Sequence, residues 1–424
     1  MKIVISLLLT CFSVGISFSQ SIDQIINPKE VARIESVLAS DKMEGRKTFT
    51  PSINRAADFI ASEFKKSGLQ YFDALNSYKQ TFSMKKATII SASGSVDGNP
   101  VDTDKIFALT TDSVLNIDQN SGFTKVVITD TSNFFKAFAL IKSNQKYLVL
   151  VNPVHEKIFQ RLKNAGRESF EDKAPVVFVL TTENPTNYHF EIKSNISSSS
   201  LANVVGVLPG KSRKGEYVIF SAHYDHLGIG KPDAKGDSIY NGANDDAAGT
   251  TAVIMLADYF SKLKNNERTL IFVTFTAEEI GGFGSQYFSK QIHPEKAVAM
   301  FNIEMIGTDS KWGNNSAYIT GYEKSDFGKI LQSNLEGSKF HFEPDPYPKQ
   351  NLFYRSDNAT LAALGVPAHT ISTSKMDDEP NYHKQSDEIS TLDMNNMAEI
   401  IKAIAISSQT IVSGKDTPTR VQKR

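Results

Sequence analysis

The sequence has 424 residues, enough for one large domain or two modest ones with a full hydrophobic core. It carries 46 Lys and Arg against 47 Asp and Glu, which gives a net charge of -1. This balance gives no electrostatic indication of binding to nucleic acid or to an anionic membrane surface.

Residues 1–19 have the pattern of a secretory signal peptide. An apolar run occupies 3–18 behind a single lysine, and small residues precede a cleavage point that would leave Gln20 as the first mature residue. A membrane anchor would need a longer span, and lipid attachment at Cys11 is disfavoured because the apolar run continues past it. We therefore expect an exported protein, periplasmic or extracellular, without stable membrane insertion.

Cys11 is the only cysteine, so the mature chain would contain neither a disulfide nor a thiolate. Core packing and bound metal are then the remaining ways to stabilise an exported protein. Any metal would have to be bound by His, Asp and Glu side chains.

The first part of the mature chain, 20–83, is predicted to be the N-terminal helical part of a catalytic domain. Apolar residues at helical spacing run from Val31 to Leu38 and again from Ile53 to Phe64. We assign no chemistry to these helices.

Residues 84–200 have a different texture, in which short apolar strands alternate with polar loops around one helix at Glu156–Ala165. The Ser-rich stretch 194–200 has the composition of a linker. We interpret this block as an inserted subdomain, α+β or β-rich, and give its isolated histidines, His155 and His189, structural roles.

From Leu201 onward strands and helices alternate, up to a last helix at Met394–Ser407. Such alternation predicts an α/β fold with a mostly parallel central sheet flanked by helices. The catalytic domain is assigned to 201–412 and a disordered tail to 413–424. Strands are predicted at 203–208, 217–220, 269–275, 297–302 and 366–371.

Ligand-type side chains stand at or soon after the ends of these strands. Because the carboxyl ends of parallel strands meet at one sheet edge, such residues would converge there. Imidazole and carboxylate groups are the ligands that zinc and similar cations take when no thiolate is present. The candidates, in chain order, are His223, Asp225, Asp245, Glu278, Glu279, Glu304 and His383, with Asp387 just beyond.

The order of these residues suggests two metal positions that share a carboxylate. Asp245 is central and could bridge two cations, with His223 and Glu304 completing one position and Glu279 and His383 the other. Two such metals would polarise a carbonyl and lower the pKa of water towards neutrality.

Glu278 and Asp225 are the candidate catalytic residues. With Glu279 bound to a cation, Glu278 can remain free as a general base on metal-bound water. Asp225 is placed to accept the second ring proton of the histidine two residues before it. Of the other histidines, His226 is interpreted as a loop residue and His369 as a packing residue of a strand.

Taken together, these motifs resemble the two-zinc exopeptidases of peptidase family M28, which include bacterial leucyl-type aminopeptidases, glutamate carboxypeptidase and glutaminyl cyclase. The resemblance covers nearly all of the chain outside the inserted block. The motifs are His223-x-Asp225, Asn244-Asp245-Asp246-x-x-Gly249, Glu278-Glu279-x-Gly281, Asn302-Ile-Glu304-Met-Ile-Gly307 and Tyr382-His383-x-x-x-Asp387.

The resemblance implies a hydrolase of peptide bonds with two zinc ions per chain, in which Asp245 bridges and Glu278 is the base. It also implies a cis peptide at Asp245–Asp246 and an inserted block of the protease-associated type. In one departure from the family pattern, Glu304 stands where Asp is usual, one methylene longer but with the carboxylate retained.

An exported aminopeptidase acting on peptides is the function that these residues favour. A glutaminyl cyclase works with one zinc, whereas His223 and Glu304 would equip a second. A carboxypeptidase acting on acidic C-termini should have several arginines near the site, and Arg355 is the one candidate. A catalytically inactive binding module, with the inserted block carrying the interaction, is disfavoured because every ligand and the base are present.

Overall fold

The computed structural model describes residues 21–134, 140–141, 143–165, 168–170 and 173–424. The predicted signal peptide, 1–19, lies outside them. The chain forms two compact units, the first made of the residues up to Gln80 together with Asn203–Arg424 and the second of Thr81–Ala202. Within the described ranges, no helix combines the length and the apolar character needed to cross a bilayer.

The helices begin and end largely where apolar spacing and capping residues predict. Asn27 caps the second helix, its side-chain oxygen accepting the backbone N–H of Glu30 at 3.1 Å. Pro51 begins the third. The helices are α1 (Ile22–Ile25), α2 (Pro28–Leu38), α3 (Pro51–Lys66), α4 (Glu156–Ala165), α5 (Ala248–Leu263), α6 (Phe283–Gln291), α7 (Phe327–Asn334), α8 (Asn358–Ala363), α9 (Met394–Ser407) and α10 (Gln409–Val412).

The strands include every one predicted from an apolar run. They are β1 (Gln70–Tyr71), β2 (Lys79–Val96), β3 (Asn99–Val101), β4 (Ile106–Leu109), β5 (Val114–Asp118), β6 (Thr124–Ile128), β7 (Tyr147–Val151), β8 (Glu168–Phe170), β9 (Val176–Leu180), β10 (Tyr188–Leu208), β11 (Arg213–His223), β12 (Gly228–Ile229), β13 (Ile239–Tyr240), β14 (Arg268–Phe275), β15 (Ala297–Ile303), β16 (Ser316–Ile319), β17 (His341–Pro344) and β18 (Ala368–Ser372).

The first unit is organised around a sheet with a parallel centre. Its strand order is β17, β16, β18, β15, β11, β14 and then the C-terminal part of β10. β18, β15, β11 and β14 run parallel, whereas β16 and β10 join this core antiparallel. The predicted α/β fold with a mostly parallel sheet is therefore confirmed.

Helices cover both faces of this sheet, which explains why its central strands are continuous apolar runs. Val218 and Phe220 of β11 belong to the larger core, which contains α2, α3, α5 and α9. Ile219, between them, packs in a second core with Phe288 of α6 and Leu361 of α8. Because both faces of β11 are buried in this way, the side chains at the end of the strand have fixed directions.

The second unit has its own sheet, with strand order β4, β9, β7 and β6. β9, β7 and β6 are parallel and β4 is antiparallel. Phe159 of α4 packs against Phe107 of β4 with ring centroids 4.9 Å apart. This mixture of helix and sheet agrees with the predicted α+β character of the insertion.

The Ser-rich stretch 194–200 is not a linker, and that prediction is wrong. It lies inside β10, which continues without a break from Tyr188 to Leu208. Strand pairing uses backbone groups, so a row of serines with mostly exposed side chains does not interrupt it.

The C-terminal segment 413–424, for which the sequence predicts disorder, is packed on the first unit. Val421 is 4% exposed, and its backbone N–H donates to the carbonyl of Gly365 at 3.2 Å. The Arg268 guanidinium donates to the Asp416 carbonyl at 2.6 Å. These contacts use backbone groups of the segment, which leave no periodic signal in its sequence.

Candidate metal centre

The candidate residues lie together at the carboxyl edge of the first unit's sheet. His223 is the last residue of β11, and Glu304 directly follows β15. Glu278 and Glu279 lie just beyond β14, and Asp245 lies just before α5. The convergence expected from parallel strand ends is thus present in the fold.

Three of these residues form one group of possible metal ligands. His223, Asp245 and Glu304 each place a donor atom within 4.8 Å of the others. His223 Nε2 lies 3.2 Å from Asp245 Oδ1. This is the set that the sequence suggests for one of the two metal positions.

A second group shares the same aspartate. His383 Nε2 lies 3.2 Å from Asp245 Oδ2 and 3.2 Å from Glu279 Oε2. His226 belongs here as well, since His226, Asp245 and Glu279 also place donor atoms within 4.8 Å of one another. His226 lies in a loop, as the sequence suggests, and its ring is buried beside the carboxylates of Glu279 and Asp245. Its position three residues after His223 was the available signal.

The donor atoms at the centre have no hydrogen-bond partner in the part of the chain that the structure describes. Such atoms are costly to bury unless something else satisfies them. Cations between them would accept the nitrogen and oxygen lone pairs and neutralise the carboxylates, so the donor set fits zinc. The atoms are His223 Nε2, His226 Nδ1, Asp245 Oδ2, Glu279 Oε1 and Glu304 Oε2.

Burial and crowding of charge shift the proton affinities at this centre. The carboxylates of Asp245 and Glu279 raise the pKa of His383 to about 10. Although burial opposes it, contact with His223 and His383 lowers the pKa of Asp245. Burial, together with the neighbouring carboxylates, raises the pKa of Glu278 well above its ordinary value. Glu278 therefore combines a high proton affinity with a place beside the donors, as a proton-transfer group requires.

Asp225 positions the turn that carries Glu278 and Glu279. Its carboxylate accepts the backbone N–H groups of these two residues at 3.1 and 3.4 Å. Its carboxylate oxygen is 3.8 Å from His223 Nδ1, whereas its backbone carbonyl is 3.1 Å away and is the partner of that nitrogen. The expected partner of the imidazole was the carboxylate, so the geometry differs in which oxygen of Asp225 is used.

Asp246 joins three of the segments that bear candidate ligands. Its Oδ1 accepts the N–H groups of Gly249 at 2.9 Å and Met305 at 3.0 Å, and its Oδ2 accepts the N–H of His223 at 3.3 Å. The Asp245–Asp246 peptide is cis, as the family resemblance implies. No separate role for this side chain is predicted from the sequence, because a carboxylate that binds only backbone groups leaves no recognisable pattern.

Arg46 holds backbone segments beside the same centre together, a role that is not predicted from the sequence. Its buried guanidinium donates to the carbonyls of Leu38 (2.7 Å), Tyr224 (2.8 Å), Asn241 (2.5 Å) and Gly242 (2.8 Å). It thereby ties the loop after β11 to the loop that leads to the shared aspartate.

The remaining histidine of interest, His369, is a packing residue, as the sequence suggests. Its Nδ1 lies 2.8 Å from the Thr320 carbonyl and its Nε2 lies 2.7 Å from Ser325 Oγ. Its ring stacks on Phe327 with centroids 4.8 Å apart.

Glu278 and both donor groups open into one small cavity of about 60 Å³. A larger surface cavity of about 540 Å³ has Asp258 as its only carboxylate and no histidine, so it does not compete as a metal site. Residues lining the small cavity include Asp245, Glu278, Glu304, His383, Tyr318 and Arg355.

Known proteins share this architecture and sequence pattern. The model of Peptidase family M28 matches residues 203–407. Aminopeptidase YwaD from Bacillus subtilis is 20% identical over 239 residues, which are 52% of this chain and 47% of the relative. Leucine aminopeptidase 1 from Trichophyton rubrum is 26% identical over 245 residues, 53% of this chain and 62% of the relative. The chain thus spans about half the length of these curated relatives.

Solved structures match over almost the full length. An aminopeptidase from Aneurinibacillus sp. strain AM-1 has a TM-score of 0.54 at 17% identity, covering 95% of this chain and 97% of that one. A zinc aminopeptidase from Bacillus subtilis has a TM-score of 0.55 at 16% identity, covering 94% and 98%. These solved structures have the same fold as this chain. Residues 203–407, just under half of the chain, carry the sequence pattern of peptidase family M28.

Proposed function

We propose that this protein is an exported aminopeptidase that uses two zinc ions per chain to hydrolyse N-terminal peptide bonds. The observation that carries the proposal is the position of Glu278. This acid–base group belongs to neither donor group, and it lines the same small cavity as donors from both groups. The relatives whose names specify aminopeptidases support the choice of substrate.

The donors divide between two positions that share Asp245. His223, Asp245 and Glu304 would hold one ion, and Asp245, Glu279 and His383 the other. Bound zinc polarises the scissile carbonyl and lowers the pKa of water towards neutrality.

Glu278 moves the proton. As a carboxylate it takes a proton from the attacking water, and as a carboxylic acid it gives that proton to the nitrogen of the leaving amine. Its high proton affinity favours the first of these transfers, in which the carboxylate gains the proton. Asp225 keeps Glu278 in reach by holding its backbone N–H.

Export belongs to the proposal and is supported by the signal-peptide pattern of residues 1–19. N-terminal sequencing of the protein collected outside the cytoplasm should start at Gln20. Full-length protein retained in the cytoplasm would contradict export without touching the enzymatic assignment.

Metal analysis combined with a panel of blocked peptides tests the activity. We expect two zinc ions per chain and release of leucine from a leucyl anilide, abolished by a chelator and restored by zinc. A peptide with a free N-terminus and an amidated C-terminus should be cleaved, and its N-acetylated counterpart should not.

The same panel identifies the other functions of this fold. Cleavage of a further peptide, N-acetylated but with a free C-terminus, would indicate a carboxypeptidase. Loss of ammonia from an N-terminal glutaminyl peptide would indicate a cyclase. If the protein bound no zinc and cleaved none of the peptides, a binding module would be the remaining function.

A further inference from the structure

The ring of His226 is buried among the donor atoms without a hydrogen bond. Its side chain is 0% exposed, and its Nδ1 lies 2.8 Å from Glu279 Oε1 and 3.9 Å from Asp245 Oδ2. Neither ring nitrogen has a hydrogen-bond partner among the residues that the structure describes. A buried imidazole nitrogen this close to a carboxylate oxygen either shares a proton with it or binds a cation together with it.

The spacing of the donor atoms around this ring matches that of ligands on one metal ion. Ligands bound at about 2.0–2.1 Å in a tetrahedron lie roughly 3.3–3.4 Å apart. The four distances that link His226, His383, Asp245 and Glu279 are 2.8, 3.2, 3.2 and 3.9 Å. These distances lie on both sides of that value, with His226 beside Glu279 Oε1 and His383 beside Glu279 Oε2.

The surrounding backbone holds the ring in this place. The His226 backbone N–H donates to the Arg46 carbonyl at 3.3 Å. A Cβ on Gly242 would lie 2.5 Å from two carbon atoms of the His226 ring, and Gly242 has φ of +57°. A side chain at that position would push the ring away from the donors, so the loop before Asp245 is shaped around this histidine.

We propose that His226 is a further protein ligand, through Nδ1, of the metal position formed by Asp245, Glu279 and His383. This proposal rests on the proposed function, since it concerns one of its two metal positions. That position then has four protein donors, whereas the His223, Asp245 and Glu304 position has three and keeps room for water or substrate. The four-donor position should therefore retain its ion longer when zinc is withdrawn.

Zinc content after dialysis against graded chelator tests this without an activity assay. The wild-type protein should lose its two ions in separate steps. His226→Ala should lower the affinity of the tighter step by more than about 100-fold, beyond the effect of removing a partner that only orients a ligand. His383→Ala should remove the same step, and His341→Ala, which changes an exposed histidine, should leave both steps intact.

Two isosteric variants show which ring atom binds. His226→Asn places an amide oxygen near the position of Nδ1 and should recover part of the affinity, whereas His226→Gln reaches towards Nε2 and should not. Thermal unfolding of the metal-free proteins establishes that all variants fold. A crystal structure with zinc anomalous scattering should place Nδ1 at about 2.0–2.1 Å from the ion.

The outcomes separate this inference from the function beneath it. Wild-type protein that binds no zinc would overturn the proposed function and this ligand together. Wild-type protein with two ions, but with His226 variants of unchanged zinc affinity, would overturn the ligand alone. An Nδ1 that hydrogen-bonds to Glu279 and lies outside bonding distance of the ion would do the same.

Discussion

Asp387 Oδ2 accepts a hydrogen bond of 3.0 Å from the backbone N–H of Asp245. Its other oxygen accepts the N–H of Asn244 at 2.8 Å. Asp387 follows His383 by four residues in the same loop. The segment that carries His383 therefore also holds the backbone of Asp245, the carboxylate shared by both donor groups. Displacement of this loop would disturb both residues at once.

Replacing Asp387 by Ala should therefore weaken zinc binding as well as stability. The change leaves two buried N–H groups without an acceptor, at roughly 1–3 kcal/mol each, and should reduce zinc affinity by about 10–100-fold. Competition with a chelating dye and urea unfolding measure the two effects. Asp393→Ala is the matched control, because Asp393 caps α9 by accepting the N–H groups of Asn395 and Asn396 at 3.0 Å each. It should lower stability and leave zinc affinity unchanged; the same pattern for Asp387→Ala would refute the positioning role.

Glu278→Gln should abolish proton transfer while preserving the fold. The amide cannot accept the proton of the attacking water, so kcat should fall by about 10²–10⁴-fold with zinc content and melting temperature unchanged. Glu279→Gln is the comparison, because it should lose zinc as well as activity. Wild-type turnover by Glu278→Gln would mean that another group is the base.

Glu304→Asp tests the departure from the family pattern. The donor oxygen retracts by about 1.5 Å, one carbon–carbon bond, in a group whose atoms now lie within 4.8 Å of one another. Since β15 is buried along its whole length, the backbone has little freedom to follow. We expect zinc affinity at the His223 position to fall by roughly 10–100-fold. An unchanged zinc affinity would show that the carboxylate of the shorter side chain still reaches the ion.

Glu35 gives the protein a pH-dependent stability that is independent of the metal ligands. It is fully buried, and burial raises its pKa from 4.5 to about 8. The folded state therefore holds the proton more tightly than the unfolded state does. Its stabilising contribution is complete below pH 4.5 and is lost as the pH rises through about 8.

Glu35→Gln should remove this dependence, since the amide stays neutral and can still accept the Thr251 hydroxyl, now 2.7 Å from Glu35 Oε1. The shift from 4.5 to about 8 corresponds to roughly 4–5 kcal/mol at full ionisation. Urea unfolding at pH 5 and pH 9 should show the variant gaining on the wild type as the pH rises. Glu336→Gln, at an exposed position, should follow the wild type at both pH values. If the free energy of unfolding changed with pH equally in Glu35→Gln and in the wild type, Glu35 would not be the source of the pH dependence.

The sequence predicts the sheet and most of the donors for a clear physical reason. Strands buried on both faces are apolar throughout, so a polar residue such as His223 or Glu304 at the end of a run stands out. β16 and the edge strand β17 were not predicted, because they are only four residues long and lack such contrast.

The rest of the centre depends on backbone geometry that composition does not encode. Ala277, Met305 and His383 have positive φ values of 61°, 53° and 56°, each at or next to a residue of the site. The contacts of Arg46 and Asp246 are to backbone groups brought in from distant segments. These roles cannot be predicted from the sequence, because the contacts form only when folding brings the segments together.

Asn203 and Gln80, where the chain rejoins and leaves the first unit, are neighbours. Asn203 Nδ2 donates to Gln80 Oε1 at 2.9 Å, and the Val205 N–H donates to the Tyr78 carbonyl at 2.8 Å. A tight turn could join Gln80 to Asn203, so we expect the first unit to fold without Thr81–Ala202. Replacement of this stretch by another module should leave every candidate metal ligand in place, since all of them lie in the first unit.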